Sequence, residues 1–192
     1  NAKVVLKNAK TGAMLGEGKT DATTGIAKFT AQKTTDPVVV EVQGTAGATY
    51  FDESKENSAP FGAGQVIKAV VPTLTSNANI GVSALTDIAY KTALKKAGNE
   101  AAISADIATK ANEAIRTALA PELSSITIAP TLVGSADDLT KLTNTDAGEY
   151  ALRLAALAQL VANTDTTPAL TALNKLAEDF ADGNFDGMAN GA

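Results

Sequence analysis

The chain has 192 residues, of which 45% are hydrophobic and only 4% aromatic, and it contains no His, Cys or Trp. This composition is sufficient for a buried core, but it excludes disulfides, thiol nucleophiles, imidazole bases and His-centred triads. The net charge of −5 is uneven, because residues 1–83 carry 8 basic and 7 acidic groups whereas residues 84–192 carry 8 and 14, and the acidic second half argues against nucleic acid as a partner.

The first 82 residues are predicted to form short β-strands. The candidate segments are rich in β-branched residues and are separated by clusters of Gly, Asp, Asn, Thr and Pro. This pattern is typical of a small sandwich or barrel. The predicted strands are residues 3–7, 27–31, 38–42, 49–51, 66–71 and 79–82.

From Ser83 onward, apolar residues recur at helical spacing. Ser83 is predicted to cap a helix that runs to about residue 96, and Gly98 is predicted to end it. A second helix, from residue 101 or 104 to residue 119, stops before Pro121.

The last third of the chain is also predicted to be mainly helical. Residues 126–133 are expected to be extended, and residues 135–142 to contain a short helical turn. A longer helix then carries Tyr150, Leu154, Leu157 and Val161 along one stripe, with Glu149 and Arg153 as an exposed pair. A final helix has Thr167 as N-cap, Pro168 at its first position, and a buried stripe of Leu170, Leu173, Leu176 or Ala177, and Phe180.

These patterns predict an α+β protein. An antiparallel β-sandwich domain occupies residues 1–83, and an α-helical bundle occupies residues 84–192. The composition changes near residue 83 without a flexible linker. Periodicity leaves open whether the helix after Ser83 packs on the sandwich or on the bundle.

One short motif near the end of the chain has the pattern of a calcium loop. Asp182, Asn184 and Asp186 place oxygen side chains at alternating positions, and Gly187 permits the tight turn that such loops need. The bidentate acid expected at position twelve falls beyond residue 192, so the predicted site is weak unless other acids complete it. The alternative is a Gly-rich helix end with incidental Asp residues.

The sequence offers no recognisable catalytic machinery. Glu149, Glu178 and Asp179 are helix-surface acids, and nothing in their spacing selects a glycosidase pair. The chain has no nucleophile elbow of the G-x-S-x-G type and no Walker-type phosphate loop. We therefore expect a protein that is not an enzyme and requires no cofactor.

Two parts of the sequence resemble known proteins. The stretch AKVVLKNAKTGAMLGEGKTDATTGIAKFTAQ, followed by PVVVEVQGTAGATYFDE, resembles the carboxypeptidase-regulatory-like, prealbumin-type β-sandwich domains of exported bacterial proteins. The segments GVSALTDIAYKTAL, ALRLAALAQLVAN and LNKLAEDFADGNFDG resemble the helical part of proteobacterial surface proteins and lipoproteins that carry this domain. The resemblance implies an Ig-like sandwich, secretion and a surface role without catalysis.

The resemblance also suggests that one strand is absent. Related domains begin with a further strand, whereas Asn1 leads directly into the second one. A sandwich that lacks a strand exposes unpaired backbone groups, which another subunit can fill by β-augmentation. We expect the exposed edge at Val4, Val5 and Leu6. The alternatives are that the strand was trimmed from the chain and that the shorter fold is complete.

The function predicted from the sequence is that of an extracellular structural subunit on the bacterial cell surface. It is expected to polymerise into a filament or surface assembly through β-strand complementation, without a membrane span but with a lipid anchor upstream of the chain as one arrangement. The alternative is a monomeric adhesion module, in which loops within residues 45–64 recognise a glycan or a protein and calcium stiffens the C-terminal end.

Overall fold

The structure, a computed structural model, describes residues 1–162 and 176–180. Within these residues, the protein is of mixed α/β type, with antiparallel sheets of four and two strands followed by helices. The strands are β1 (Lys3–Asn8), β2 (Met14–Lys19), β3 (Val38–Gln43), β4 (Thr49–Asp52), β5 (Asn57–Pro60) and β6 (Val66–Val71). The helices are α1 (Ala84–Ala97), a short 3-10 helix (Glu100–Ala102), α2 (Ala105–Leu119), α3 (Ala136–Leu139) and α4 (Asp146–Ala162).

The four-stranded sheet has the strand order β2-β1-β3-β6, and every neighbouring pair is antiparallel. A tight turn joins β1 to β2, because the Asn8 side chain accepts the N–H groups of Lys10 and Thr11 at 2.9 and 3.0 Å. β4 and β5 form a separate hairpin. The connection from β3 through this hairpin to β6 places β6 at the far edge of the main sheet.

Each face of the main sheet is covered differently. One face packs against α1 and α2, where Val39 and Val70 meet Tyr90, Ala93 and Ala108. The opposite face is covered by two extended segments that belong to no ladder, residues 27–31 and 78–82. The residues clustered on that face are Val4, Leu6, Leu15, Val38, Val40, Ala69, Val71 and Leu74, with Ala27, Phe29, Ala31, Val42, Ile80 and Val82 packed against them.

Four of the six predicted strands are present as β1, β3, β4 and β6. Residues 27–31 and 79–82 were predicted as strands but form no ladder, so these two predictions are wrong. β2 and β5 were missed, because neither has the β-branched residues that mark a strand.

The ends of α1 and α2 are where the sequence places them. Ser83 forms a capping box with Thr86, and Gly98 ends α1 with a φ of 82° that an L side chain adopts only with strain. Ser104 caps α2 through the N–H of Ile107 at 3.2 Å. Because each of these serine caps bonds to a residue only three positions later, the start of each helix can be predicted from sequence.

α4 is joined to the start of α1 by a buried polar contact. The fully buried Tyr150 hydroxyl lies 2.5 Å from Ser83 Oγ and donates to the Ile126 carbonyl at 2.8 Å. Apolar side chains of α1, α2 and α4 surround it, together with Ala177 and Phe180 of the helical residues 176–180. The predicted pair of Glu149 with Arg153 is replaced by an ion pair of Arg153 with Glu122.

Strands give way to helices at residue 83, as the composition indicates, and α1 packs directly on the sheet. Strand and helix side chains therefore share one hydrophobic cluster across this boundary. The N-terminal part of the last predicted helix, with Thr167 and Pro168, lies outside the described residues. None of the described helices has the length and hydrophobicity needed to cross a bilayer.

Candidate functional site

The predicted interface residues Val4, Val5 and Leu6 lie in the middle of the sheet. They are 5–7% exposed, and β1 pairs with β2 on one side and with β3 on the other. The prediction that they form an exposed edge is therefore wrong. The physical reason is the turn after Asn8, which folds the undetected strand β2 back against β1.

The predicted calcium ligands Asp182, Asn184 and Asp186 lie outside the described residues. Within residues 1–162 and 176–180, no group of three or more Asp and Glu side chains is arranged to hold a metal ion. The calcium site thus stays a prediction from sequence.

The hydrogen-bond pattern of the sheet determines which backbone groups point outward. In an antiparallel ladder, successive residues direct their N–H and C=O groups alternately to the two sides of the strand. Thr20 N–H donates to the Ala2 carbonyl at 2.9 Å, which continues the β1–β2 ladder beyond Lys19. By this alternation, Gly16 and Gly18 bond to β1, and the backbone groups of Glu17 and Lys19 point away from the sheet.

The β6 edge of the sheet is closed by side chains of the helices. Asp87 in α1 accepts the outward N–H of Lys68 at 2.8 Å, and Asn112 in α2 donates to the outward carbonyl of Val70 at 2.8 Å. Both contacts occupy groups that another strand would otherwise use. This edge is consequently protected against strand addition.

The β2 edge of the sheet is open only in its middle, because residues 32 and 26 bond to the backbone of Leu15 and Asp21 at its two ends. At its start, the Leu15 carbonyl accepts the N–H of Gln32 at 2.8 Å, next to a β-bulge that interrupts the β1–β2 register. Farther along, the outward N–H and C=O groups of Glu17 and Lys19 have no hydrogen-bond partner in the part of the chain that the structure describes. These residues therefore present a short backbone template for another strand.

An extended segment, residues 27–31, lies beside this open edge on the apolar face of the sheet. It approaches β2 closely, because a Cβ atom at Gly18 would lie 2.5 Å from the Phe29 ring, and one at Gly16 would lie 2.9 Å from the Thr30 carbonyl oxygen. Ala27, Phe29 and Ala31 point toward the core while Lys28 and Thr30 are exposed. Among the described residues, no backbone group of this segment pairs in a ladder. We call β2 and residues 27–31 together the open side of the sheet.

Charges of both signs lie on the open side. Glu17 pairs with Lys3 of the neighbouring strand at 2.8 Å, and both side chains are about half exposed. Lys19 lies two residues from Glu17 and is also exposed. Since residues two apart in a strand share a face, Glu17 and Lys19 project to the same side of the sheet.

A larger group of interacting charges lies elsewhere, between the sheet and α1. Glu41, which is 5% exposed, accepts from Lys7 and Lys68, each at 2.9 Å. Burial alone would raise the pKa of Glu41, but hydrogen bonds from these lysines and from Gln43 outweigh it and lower the pKa to about 2. The Tyr90 hydroxyl donates to Glu100 at 2.5 Å, and burial together with that carboxylate raises the pKa of Tyr90.

These charged groups satisfy one another. Lys68 contacts Glu41, the Tyr90 hydroxyl at 3.3 Å and the face of the Tyr90 ring at 4.8 Å. The cluster thereby joins β1, β3 and β6 to α1. Its geometry is that of a structural ion-pair network that anchors the helix to the sheet.

A surface cavity of about 240 Å³ lies between α2 and residues 124–127. Its two charged lining residues, Glu113 and Arg116, bind each other, and the Arg116 guanidinium also binds the carbonyls of Pro121 and Leu123. The Ser125 and Thr127 hydroxyls in its wall bond to each other at 2.9 Å. The cavity thus presents few free polar groups to a ligand.

Comparison with known proteins finds no matching family model, no matching curated protein and no matching solved structure. The class of protein is therefore defined by its own architecture: a mixed α/β protein with a helix-covered antiparallel sheet, closed at one edge and open at the other.

Proposed function

We propose that the protein is a non-enzymatic structural subunit of an extracellular assembly on the bacterial surface, and that subunits associate by β-strand complementation. The observation that supports this function is the contrast between the two edges of the sheet. Helix side chains bind the outward N–H of Lys68 and the outward C=O of Val70 in β6, whereas the outward groups of Glu17 and Lys19 in β2 have no partner within the described residues. The sequence-based interface at β1 is thereby replaced by one at the open side.

The closed edge restricts how subunits can associate. Head-to-tail growth of the sheet would require the β6 edge of one subunit to pair with the β2 edge of the next. Asp87 and Asn112 block that pairing, since they already bind the backbone of Lys68 and Val70. The partner of the open side is consequently another open side or a strand donated from elsewhere in the assembly.

A sandwich of prealbumin type with an incomplete second layer fits the same features. Residues 27–31 alternate between half-buried and exposed positions as a strand does, and they cover the apolar face together with Ile80 and Val82. An isolated antiparallel bridge joins Thr34 to Leu74, each of which lies close in sequence to one of these covering segments. A donated strand would complete this layer. It would also supply hydrogen-bond partners for the outward backbone groups of Glu17 and Lys19.

The extracellular location and the surface role depend on the sequence resemblance rather than on the geometry. The alternative function, a monomeric module that recognises a glycan or a protein, has less structural support. Residues 49–60 form the β4–β5 hairpin rather than an open loop, and in the cavity beside α2 the Arg116 guanidinium and the Ser125 and Thr127 hydroxyls are bonded internally.

The proposal is tested by light scattering coupled to size exclusion over a concentration series, with electron microscopy of the same samples. We expect association that increases with concentration, and ordered assemblies at the highest concentrations. Because a twofold pairing of two open sides closes at a dimer, a protein that stops there would support edge pairing, and ordered assemblies would show that a donated strand also joins the subunits. A monomer of 19.4 kDa at all concentrations would contradict the proposal and favour the binding module.

A further inference from the structure

We propose that the open edge binds β2 of a second copy of the chain, antiparallel and about a twofold axis through Gly18. The two four-stranded sheets would then form one continuous sheet of eight strands. This inference rests on the proposed function, because it names the partner and the register of the association. It is argued from the direction of the backbone groups and from the charges on the edge.

The direction of the backbone groups leaves few registers. A twofold axis pairs residues at equal distances on either side of it, and bonds form only where outward groups meet outward groups. The free outward groups belong to Glu17 and Lys19. The axis must therefore pass through residue 17, 18 or 19 for the two edges to bond with those groups alone.

Axes through the neighbouring residues Gly16 and Thr20 would form fewer backbone hydrogen bonds between the two copies of β2. An axis through Gly16 would pair Glu17 with Leu15, whose carbonyl already accepts from Gln32. An axis through Thr20 would pair Lys19 with Asp21, whose N–H donates to the Ile26 carbonyl at 3.0 Å. The carboxylate of Asp21 is also engaged by the N–H groups of Thr23 and Thr24.

Charge selects among the three remaining registers. An axis through Glu17 sets two glutamates opposite each other, and an axis through Lys19 sets two lysines opposite each other; directly opposed like charges destabilise a strand pair. An axis through Gly18 instead places Glu17 of each copy opposite Lys19 of the other. That register also forms four backbone hydrogen bonds, two at each of the symmetry-related Glu17–Lys19 pairs, and the pairing ends there because Leu15 and Asp21, which face each other next, already bond to Gln32 and Ile26.

The surroundings of Gly18 suit a position on the axis. Glu17 already pairs with Lys3 at 2.8 Å, so in the dimer it would lie between Lys3 and Lys19 of the second copy. On the other face, Phe29 packs over Gly18 and is half-buried. The axis would place the Phe29 rings of both copies near each other, where paired aromatic rings add stability.

Charge exchange tests the register directly. In sedimentation experiments, Glu17→Lys and Lys19→Glu should each weaken the dimer by about tenfold or more, since each sets two like-charged pairs across the axis. The double variant Glu17→Lys/Lys19→Glu should restore wild-type association. An equimolar mixture of the two single variants should form a heterodimer, because every cross-strand pair then has opposite charges.

The control is Lys96→Glu, which makes the same change in net charge as Lys19→Glu at an exposed position of α1 and should leave association unchanged. Thermal melts of each variant verify that the fold is intact. Wild-type association that is unaffected by the single exchanges would overturn the register while leaving self-assembly intact. A wild-type protein that stays monomeric would overturn both this inference and the proposed function.

Discussion

At the scale of single residues, Glu41 is the charge on which the junction between sheet and helices depends. It is nearly buried and holds both Lys7 and Lys68 at 2.9 Å. Glu41→Gln removes the negative charge and leaves two lysines facing a neutral amide. We expect a loss of about 1–3 kcal/mol in the free energy of unfolding, measured by urea denaturation at pH 7.

The pH dependence of this contribution has a definite sign. The pKa of Glu41 is about 2 in the folded protein, compared with an ordinary value of 4.5. Its ionised form therefore stabilises the fold above about pH 4.5, and that stabilisation is lost as the pH falls toward 2. The stability difference between wild type and Glu41→Gln should narrow over this range.

Tyr150 connects α4 to the start of α1 and to residue 126. Its hydroxyl bonds to Ser83 Oγ and to the Ile126 carbonyl, and burial raises the pKa of this tyrosine. Tyr150→Phe leaves both partners buried without it, so we expect a loss of about 1–3 kcal/mol. Because Ser83→Ala removes one of the same bonds, the double variant should cost less than the sum of the single ones. Strict additivity would show that the two hydroxyls do not interact.

At the scale of secondary-structure elements, α1 and α2 each carry an aspartate–lysine ion pair that begins in the first turn, and the two aspartates have different roles. Asp87 in α1 and Asp106 in α2 both lie in the first turn, and each pairs with a lysine four residues later at 2.9 Å. Only Asp87 also accepts a strand N–H, that of Lys68. The two sites also differ in burial, because the side chain of Asp87 is 7% exposed and that of Asp106 is 69% exposed.

We expect Asp87→Ala to cost about 1–3 kcal/mol and to accelerate hydrogen exchange at the Lys68 amide. Asp106→Ala loses an ion pair of the same spacing at an exposed position, and it should cost less than about 0.5 kcal/mol in the free energy of unfolding. Equal losses in the two variants would mean that Asp87 does not protect the β6 edge. The measurements are urea denaturation and amide exchange on the same samples.

The elements also show which features the sequence predicts and which it does not. α1 and α2 were located because Ser83, Gly98 and Ser104 act through bonds to residues within the same helix or turn. β2 was missed because its sequence MLGEGK has two glycines and no β-branched residue. Its place in the sheet comes from pairing with β1, which the turn at Asn8 brings about.

Residues 27–31 show the opposite error. Their alternation of apolar and polar side chains is that of a strand, and Phe29 does face the core. A strand also needs ladder hydrogen bonds to a neighbouring strand, however, and none forms along this segment among the described residues. The error at Val4–Leu6 has the same origin, because edge and centre positions depend on partners that are distant in sequence.

At the scale of the whole molecule, the sheet has one protected edge and one available edge. α1 and α2 cover one face and also seal β6, so the helices determine where another chain can approach. Glycine, a bulge and charged side chains keep the β2 edge short. A short edge of this kind favours a specific register over indiscriminate aggregation.

The most direct test of this account is amide hydrogen exchange at Glu17 and Lys19 as a function of protein concentration. The account predicts fast exchange in dilute protein and slowed exchange as association proceeds, while the Gly18 amide, bonded to β1, stays protected throughout. Exchange at Glu17 and Lys19 that is fast at every concentration, or already slow in the monomer, would contradict the open edge as the site of assembly.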